Sequence, residues 1–366
     1  MIRIVNRAEI SRTREHLWRT LSVALALCAS AVIMALIGYN PLEVYAKILQ
    51  GSLKSAYRFK ETIHKAIPLV TLSLGIAVAF RMKFWNIGAE GQFYLGAFGA
   101  SLVAFYAPPL SPWILLPLML LSGFFLGGLW ALVPALLKAR LGASETLVTL
   151  MLNYVALKWI SYLQYGPWKD PAASGFPKIA PFPDAAILPQ VFGIHAGWLI
   201  ALALCLVVHV MLSSSKLGYE IDVLGESVAT ARYAGISVTR VTLIAIMISG
   251  GLCGIAGMMQ ASAIEHSLSE QLSGGLGFTA VITTWLARLS PPVILVVSFL
   301  FSVLIQGGSF LQSSLKIPAS VSAILQGIIL FFVLGGEFFI RYRLVRTGRF
   351  IFRPPPARKP KPEVRS

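Results

Sequence analysis

The chain has 366 residues, of which 56% are hydrophobic and only 13% charged, and its mean hydropathy is +0.75. This balance excludes an ordinary water-soluble domain: apolar segments recur along almost the whole length, as in a polytopic helical membrane protein with no room for a large soluble domain. The 31 Lys and Arg outnumber the 15 Asp and Glu, giving a formal charge of +16. Most of that excess belongs to the two ends, where the positive-inside bias and anionic membrane lipid account for it without nucleic acid.

The first apolar segment, 17–38, follows a basic stretch. The residues directly before Tyr39-Asn40-Pro41, Leu36-Ile37-Gly38, are not of the Ala-x-Ala cleavage type, so it is read as a retained first helix within a membrane domain at 17–340, behind a basic N-terminus at 1–16. Further spans are expected at 66–80, 86–107, 112–137, 144–165, 197–213, 242–262, 278–289, 291–309 and 318–340, ten in all. Arg3, Arg7, Arg12, Arg14 and Arg19 precede the first span, and Arg341, Arg343, Arg346, Arg349 and Arg353 follow the last, which places both termini in the cytoplasm. The short links with Arg81 and Lys83, with Lys138 and Arg140, and from Lys216 to Arg240 fall on the same side.

The external segment 39–65 resists that bias, with Lys47, Lys54, Arg58, Lys60 and Lys65 against Glu43 and Glu61. Tyr45, Ile48, Leu49, Leu53, Ala56 and Tyr57 recur at helical spacing, so the segment is expected to be one amphipathic helix on the outer membrane interface. Cys28, Cys205 and Cys253 lie inside apolar runs and read as small buried side chains.

The most informative stretch is Phe84-Trp-Asn-Ile-Gly-Ala-Glu-Gly-Gln92, where Gly88 and Gly91 interrupt a helix around Glu90. A carboxylate at membrane depth faces a protein interior or a water-filled path, and broken helices occur there only where their freed backbone is buried or lines a cavity. A second short, glycine-interrupted segment, Gly274–Gly277 before Phe278 and Thr279, occupies the other half of the chain. Paired interruptions of this kind point to a midplane path between two pseudo-repeated halves. Asn86, Gly88, Glu90, Gly91, Gln92, Phe278 and Thr279 are therefore the expected path residues. Two local alternatives stand beside this reading: Glu90 as a cap for free amides at a helix start, and Phe84, Trp85 and Phe278 as core packing.

The prolines at 167, 171, 177, 181, 183 and 189 mark an external loop over 166–196, either a dock for a soluble partner or a passive lid. On the cytoplasmic side, within 214–241, Glu226–Ala234 is expected to be one short helix with Arg232 near its end and Gly235 as the left-handed residue that stops it. It is too short to cross a bilayer, and small Ala229, Ala231 and Ala234 suit close approach by another protein. Gly225, Glu226, Ala231, Arg232, Ala234 and Gly235 are accordingly expected to form a surface gripped by a motor subunit. The basic, proline-rich residues 341–366 read as a disordered tail.

Three blocks carry a resemblance to a known family: Phe84–Gln92, Glu145-Thr-Leu-Val-Thr-Leu-Met-Leu-Asn-Tyr154, and Gly275-Leu-Gly-Phe-Thr-Ala-Val-Ile282 with Ile324-Leu-Gln-Gly-Ile-Ile329. They resemble the inner-membrane permease subunits of ABC importers for nucleosides and simple sugars, the branched-chain amino acid and ribose-like permeases, and Gly225–Ile236 looks like that family's coupling segment. The resemblance implies a bacterial inner-membrane permease without cofactors of its own, with ATP and magnesium held by a cytoplasmic ATPase. It also implies a second permease subunit and an extracytoplasmic solute-binding protein, and it favours a nucleoside, with a simple sugar or a flavin as alternatives. Asp222 stands where relatives often have a basic residue, which bears on ATPase pairing, and Trp285-Leu-Ala-Arg-Leu-Ser-Pro-Pro292 departs from a small-residue Leu-Gly pair, which bears on the solute.

Enzymatic readings fare poorly. The chain has no Gly-Lys dipeptide and hence no P-loop, and His16, His64, His195, His209 and His266 occur without metal-ligand spacing. The competing transport reading is an ion-coupled secondary transporter with Glu90, Lys158 or His209 relaying protons.

Overall fold

The computed structural model describes residues 2–6, 12–173, 175–316, 342–346 and four helical residue pairs between 323 and 336. The chain forms two compact units, 34–326 and 1–33 with 327–366. In the smaller unit β1 (Ile2–Asn6) pairs antiparallel with β4 (Tyr342–Arg346), setting Ile4 opposite Leu344. This ribbon departs from the all-α expectation and shortens the expected tail, because apolar residues alternating with arginine fit the two-residue period of a strand. Residues 347–366 of that tail lie outside the described residues. Most of α1 (Arg12–Leu36) also belongs to this unit.

The larger unit is helical: α2 (Pro41–Leu53), α3 (Ala56–Arg81), α4 (Ala89–Tyr106), α5 (Pro112–Leu141) and α6 (Glu145–Tyr165) precede the proline-rich loop with its hairpin, β2 (Gln190–Val191) and β3 (Ile194–His195). Then follow α7 (Gly197–Ser214), α8 (Lys216–Glu226), α9 (Val228–Tyr233), α10 (Val238–Gln260), α11 (Leu276–Leu286) and α12 (Pro291–Leu315). Among the described residues six helices are long and apolar enough to cross a membrane, or seven if α1 and α2 make one bent span. The expected ten is not reached: α4 and α11 fall outside that set, and most of 318–340 lies outside the described residues.

Glycine sets the centre of the bundle. Lipid tails are as apolar as leucine, so membrane helices associate through close van der Waals approach, which small residues permit. A Cβ on Gly254 of α10 would fall on the carbonyl of Gly123 in α5, and one on Gly257 on the carbonyl of Phe93 in α4. On α3, a Cβ at Gly75 would meet the Ser249 carbonyl of α10 at 2.6 Å. Helices α3, α4, α5 and α10 thus pack backbone to backbone.

The expected interfacial helix over 39–65 is in fact two elements. Asn40 caps α2, its side chain accepting from Leu42 N–H at 3.1 Å, and α2 buries Val44, Ile48 and Gly51, with Gly51 against Phe310 and Ile48 against Gly307 of α12. The Ser55 hydroxyl then accepts from Arg58 N–H at 3.3 Å and starts α3, which runs unbroken to Arg81 with Pro68 inside it. The second span therefore begins ten residues earlier than expected, because a serine cap outweighs the charges that suggested a surface helix.

Residues 166–173 and 175–196 form a cover over the ends of α4, α6 and α10. Gln164 Nε2 donates to the Pro177 carbonyl at 3.0 Å, and Phe182 N–H donates to the His266 carbonyl at 2.8 Å. Ser262 donates to the Ala186 carbonyl at 2.5 Å and accepts from Leu188 N–H at 3.1 Å. Trp168 packs among Phe98, Phe105 and Tyr106. His195 Nδ1 accepts from Gly197 N–H at 3.2 Å; burial, and then the adjacent His64 ring, hold its imidazole down at about 4.

Gly254→Ala drives a methyl into backbone that has no rotamer to yield, so it should destabilise the bundle by about 1–3 kcal/mol. The readout is the thermal unfolding midpoint of the protein in lipid nanodiscs. As a control, Val207→Ala on the exposed side of α7 should leave the midpoint nearly unchanged.

Candidate translocation site and coupling element

The helix break before α4 is closed by side-chain amides. Asn86 Oδ1 accepts from Gly88 N–H at 3.0 Å and from Gln92 Nε2 at 2.9 Å, while Asn86 Nδ2 lies 3.1 Å from both Gln92 Oε1 and Ser249 Oγ. Asn153 of α6 spans the same break, its Oδ1 accepting from Gly91 N–H at 2.8 Å and its Nδ2 donating to the Ile87 carbonyl at 2.9 Å. Asn86 and Gln92, both buried, thus spend their polar groups on each other and on the backbone. Gly88 and Gly91 are packed as tightly: a Cβ on Gly91 would sit 3.0 Å from Asn153 Oδ1.

Glu90 joins the two interrupted segments. It lies in the first turn of α4, is 8% exposed, and its Oε2 accepts from Gly277 N–H, at the start of α11, at 2.7 Å. A Cβ on Gly277 would come within 2.6 Å of Glu90 N, so the two helix starts nearly touch. Each helix start carries a partial positive charge; the carboxylate accepts from the start of α11 and stands, as a negative charge, in the first turn of α4. The capping alternative describes this geometry. Arg81 is paired elsewhere, with Asp222.

The aromatic groups of the block are packed against one another. Trp85 stacks on Trp285 with centroids 5.4 Å apart and planes at 20°, Phe80 meets both, and Phe84 lies under the Lys138 ammonium at 5.0 Å. Phe278 is partly exposed and Thr279 Oγ1 donates to the Gly275 carbonyl at 3.3 Å.

A polar cavity of about 480 Å³ lies above the start of α11, against the half of α3 remote from Arg81. Lys65, Gln260, Gln271, Ser273, Thr279 and Gln312 supply its polar lining, with Glu265 and Ser309, and Leu272, Leu276 and Ile305 its apolar part. Its size suits a small solute. Of the seven expected path residues, Thr279 alone is among the described lining residues; Asn86, Gly88, Glu90, Gly91 and Gln92 sit behind it as the scaffold of the break. The glutamines that do line it went unnoticed in the sequence, where their signal is a lone amide near the end of an apolar run.

Beside the last residue of α3, the segment expected to couple to an ATPase is two helices rather than one helix over 226–234. Ser227 separates α8 from α9, its hydroxyl accepting from Thr230 N–H at 3.2 Å, so Glu226 ends α8 instead of starting the next helix. Gly225 is buried, and a Cβ there would strike the Arg81 carbonyl; Ala231 is fully buried as well. Neither offers the surface expected of it, because both bring the segment against the bundle. Glu226, Val228, Arg232, Tyr233, Ala234 and Gly235 remain exposed, Tyr233 at 96%. Gly235 has the left-handed backbone expected, φ +74°, and Ile236 N–H closes the helix end on the Ala231 carbonyl at 2.9 Å. A two-pronged ion pair, Arg81 Nε to Asp222 Oδ1 at 2.5 Å and Nη2 to Oδ2 at 2.9 Å, ties α8 to the end of α3.

Residues 59–334 match the family described as the branched-chain amino acid transport system permease component. The chain belongs to that family. It is 31% identical over 337 residues to a glucose ABC transporter permease, TsgB13 of Haloferax volcanii, covering 88% of each chain. It is 29% identical to the guanosine ABC transporter permease NupP of Bacillus subtilis, covering 88% of this chain and 94% of that one. With the nucleoside ABC transporter permease NupB of Lactococcus lactis the identity is 26%, over 88% and 92% of the two chains. The protein is a multi-pass permease subunit of an ATP-driven importer, a class that works with an ATPase partner and paired permeases.

Glu90→Gln keeps an acceptor for Gly277 N–H and should fold with a modest loss from the missing charge between helix ends, about 0.3–1 kcal/mol. Glu90→Ala strands that buried donor and should cost about 1–3 kcal/mol. Thermal unfolding of the two variants in one lipid composition gives the order; equal stability would remove the cap from the account.

Proposed function

We propose that the permease imports a small, uncharged, hydrogen-bonding solute across a bacterial inner membrane, a nucleoside before a simple sugar or a flavin. An extracytoplasmic binding protein delivers the solute, and a cytoplasmic ATPase, which holds ATP and magnesium, drives transport through a heterodimer of permease subunits. The observation that carries this reading is that one helix, α3, touches both features: Lys65 in its first half lines the polar cavity, and Arg81, its last residue, is paired with Asp222 of α8. Alternating access follows if ATPase closure moves α8 and α9, and with them the end of α3. The names of the guanosine and nucleoside relatives support the nucleoside. A sugar is the second reading: the cavity's described lining holds amides and hydroxyls but no aromatic ring on which a base would stack, and a relative is named a glucose permease.

An ion-coupled mechanism fits less well. Glu90 is engaged with Gly277, while Lys158 and His209 are exposed on separate helices, so the three form no relay among the described residues.

Reconstituted with its ATPase, paired permease and binding protein, the chain should give vanadate-sensitive uptake of labelled nucleoside. Uptake by the chain alone on a proton gradient would overturn the proposal, and uptake of glucose but not nucleoside would move the solute to the second reading. Gln260→Leu combined with Gln312→Leu strips two polar groups from the cavity and should lower uptake about tenfold while the complex still assembles.

Arg81→Asp and Asp222→Arg should each lower uptake, and the double exchange should restore most of it. The pair is partly exposed, 31% and 42%, so its stability contribution is only about 0–1 kcal/mol and the unfolding midpoint should hardly move. Measuring both quantities separates a coupling role from a structural one.

A further inference from the structure

An apolar groove of about 430 Å³ runs between α3, α7 and α12, with the β2–β3 hairpin at its outer end. Ile67 and Val70 of α3, Ala201 and Leu202 of α7, and Leu295 and Phe299 of α12 form its walls. The helix surfaces beside it are apolar and exposed, with Leu206 and Val210 on α7 and Val296 and Leu300 on α12, so it opens onto hydrocarbon rather than water. No charged side chain is among its described lining residues. Its polar side-chain group is the Trp198 indole, whose Nε1–H is buried and has no partner among the described residues.

The outer end is different. Lys60 Nζ lies against Gly193 at the hairpin tip, between Phe192 and Ile194, which both line the groove. The segment around it holds the basic residues that run against the positive-inside bias. Two are already engaged: Arg58 donates to the Gln50 carbonyl at 2.8 Å and lies 4.1 Å over the Phe310 ring, and Lys65 lines the polar cavity. Of the other three, Lys47, Lys54 and Lys60, it is Lys60 whose ammonium stands at the rim of the apolar groove, against Gly193.

We propose that this groove is a binding site for an anionic phospholipid of the non-cytoplasmic leaflet, with one acyl chain between α3, α7 and α12 and the phosphate on Lys60. The Trp198 N–H would donate to the ester carbonyl that lies between chain and phosphate. A lipid fits better than a second protein helix, because helix pairs in membranes need small residues for close approach, whereas these walls are mostly Ile, Val, Leu, Phe and Trp. The groove lies on the outer half of α3, the half that carries Lys65 into the polar cavity, so a bound lipid would bear on that cavity's wall. This inference is independent of the solute.

The test is quenching of tryptophan fluorescence in the assembled transporter, reconstituted in phosphatidylcholine vesicles containing acyl-brominated phosphatidylglycerol or acyl-brominated phosphatidylcholine. The Trp198 contribution is the part lost in Trp198→Phe. Phosphatidylglycerol should be preferred about fivefold at that site, as expected for one lysine facing an anionic headgroup, and Lys60→Gln should abolish the preference. Ala201→Phe should remove Trp198 quenching by either lipid; if that variant fails to fold, Lys60→Gln alone decides. Equal quenching by the two lipids would mean ordinary surrounding lipid and overturn the site. So would a preference that survives Lys60→Gln, or a Trp198 shielded from both lipids by a protein partner.

Discussion

Hydrocarbon offers nothing to a free peptide N–H or C=O, so a chain that interrupts its helices within a bundle must find those partners in itself. Much of this structure answers that requirement. The break before α4 is satisfied by Asn86, Gln92 and Asn153, and the start of α11 by Glu90. Ser249 draws α10 into the same set and Asn153 draws in α6, so closing one gap in the backbone fixes the relative positions of three helices.

The chemistry chosen for the two sites differs for a physical reason. An amide has a donor and an acceptor on one planar group and can answer both kinds of backbone orphan without a net charge to desolvate. Three such amides hold the first break. Where two helix starts converge, the orphans are donors, and a carboxylate in the first turn of one helix accepts from the other while its charge complements both dipoles. The polar residues of this stretch are thereby committed to the scaffold, and the cavity beside it is lined by other residues, Gln260, Gln271 and Gln312, from α10, the link before α11 and α12.

The sequence displays its interruptions plainly, because Gly88, Gly91 and Gly274–Gly277 break long apolar runs, and the ends of α4, α6, α7 and α11 fall within a few residues of the expected ones. The left-handed turn at Gly235 was equally legible. What hydropathy could not show was which polar groups face each other. Asn86 and Gln92 read as solute contacts because their reciprocal bond, and Asn153 some 60 residues away, exist only in three dimensions. Gly225 and Ala231 read as a surface because small residues suit a partner outside the chain as well as a helix within it; the Arg81 carbonyl decides for the latter at Gly225, and burial does so at Ala231. The Ser55 cap was hidden by charges whose spacing also suits an interfacial helix.

Pro68 lies near the middle of α3, between Lys65 at the cavity and Arg81 at the coupling helix. It has no N–H to give to the preceding turn, and its ring crowds the carbonyl four residues back, so a helix bends there more readily than elsewhere along its length. The lower arm is held against α10 and α11, at Gly75 and through Ser73 and Thr283, 2.6 Å apart. Helix α3 is then two arms of similar length meeting at a bend that is built into the sequence. In the proposed transport cycle, such a bend would let the first arm, with Lys65 about one turn from Pro68, change its angle to the arm that α10 and α11 hold.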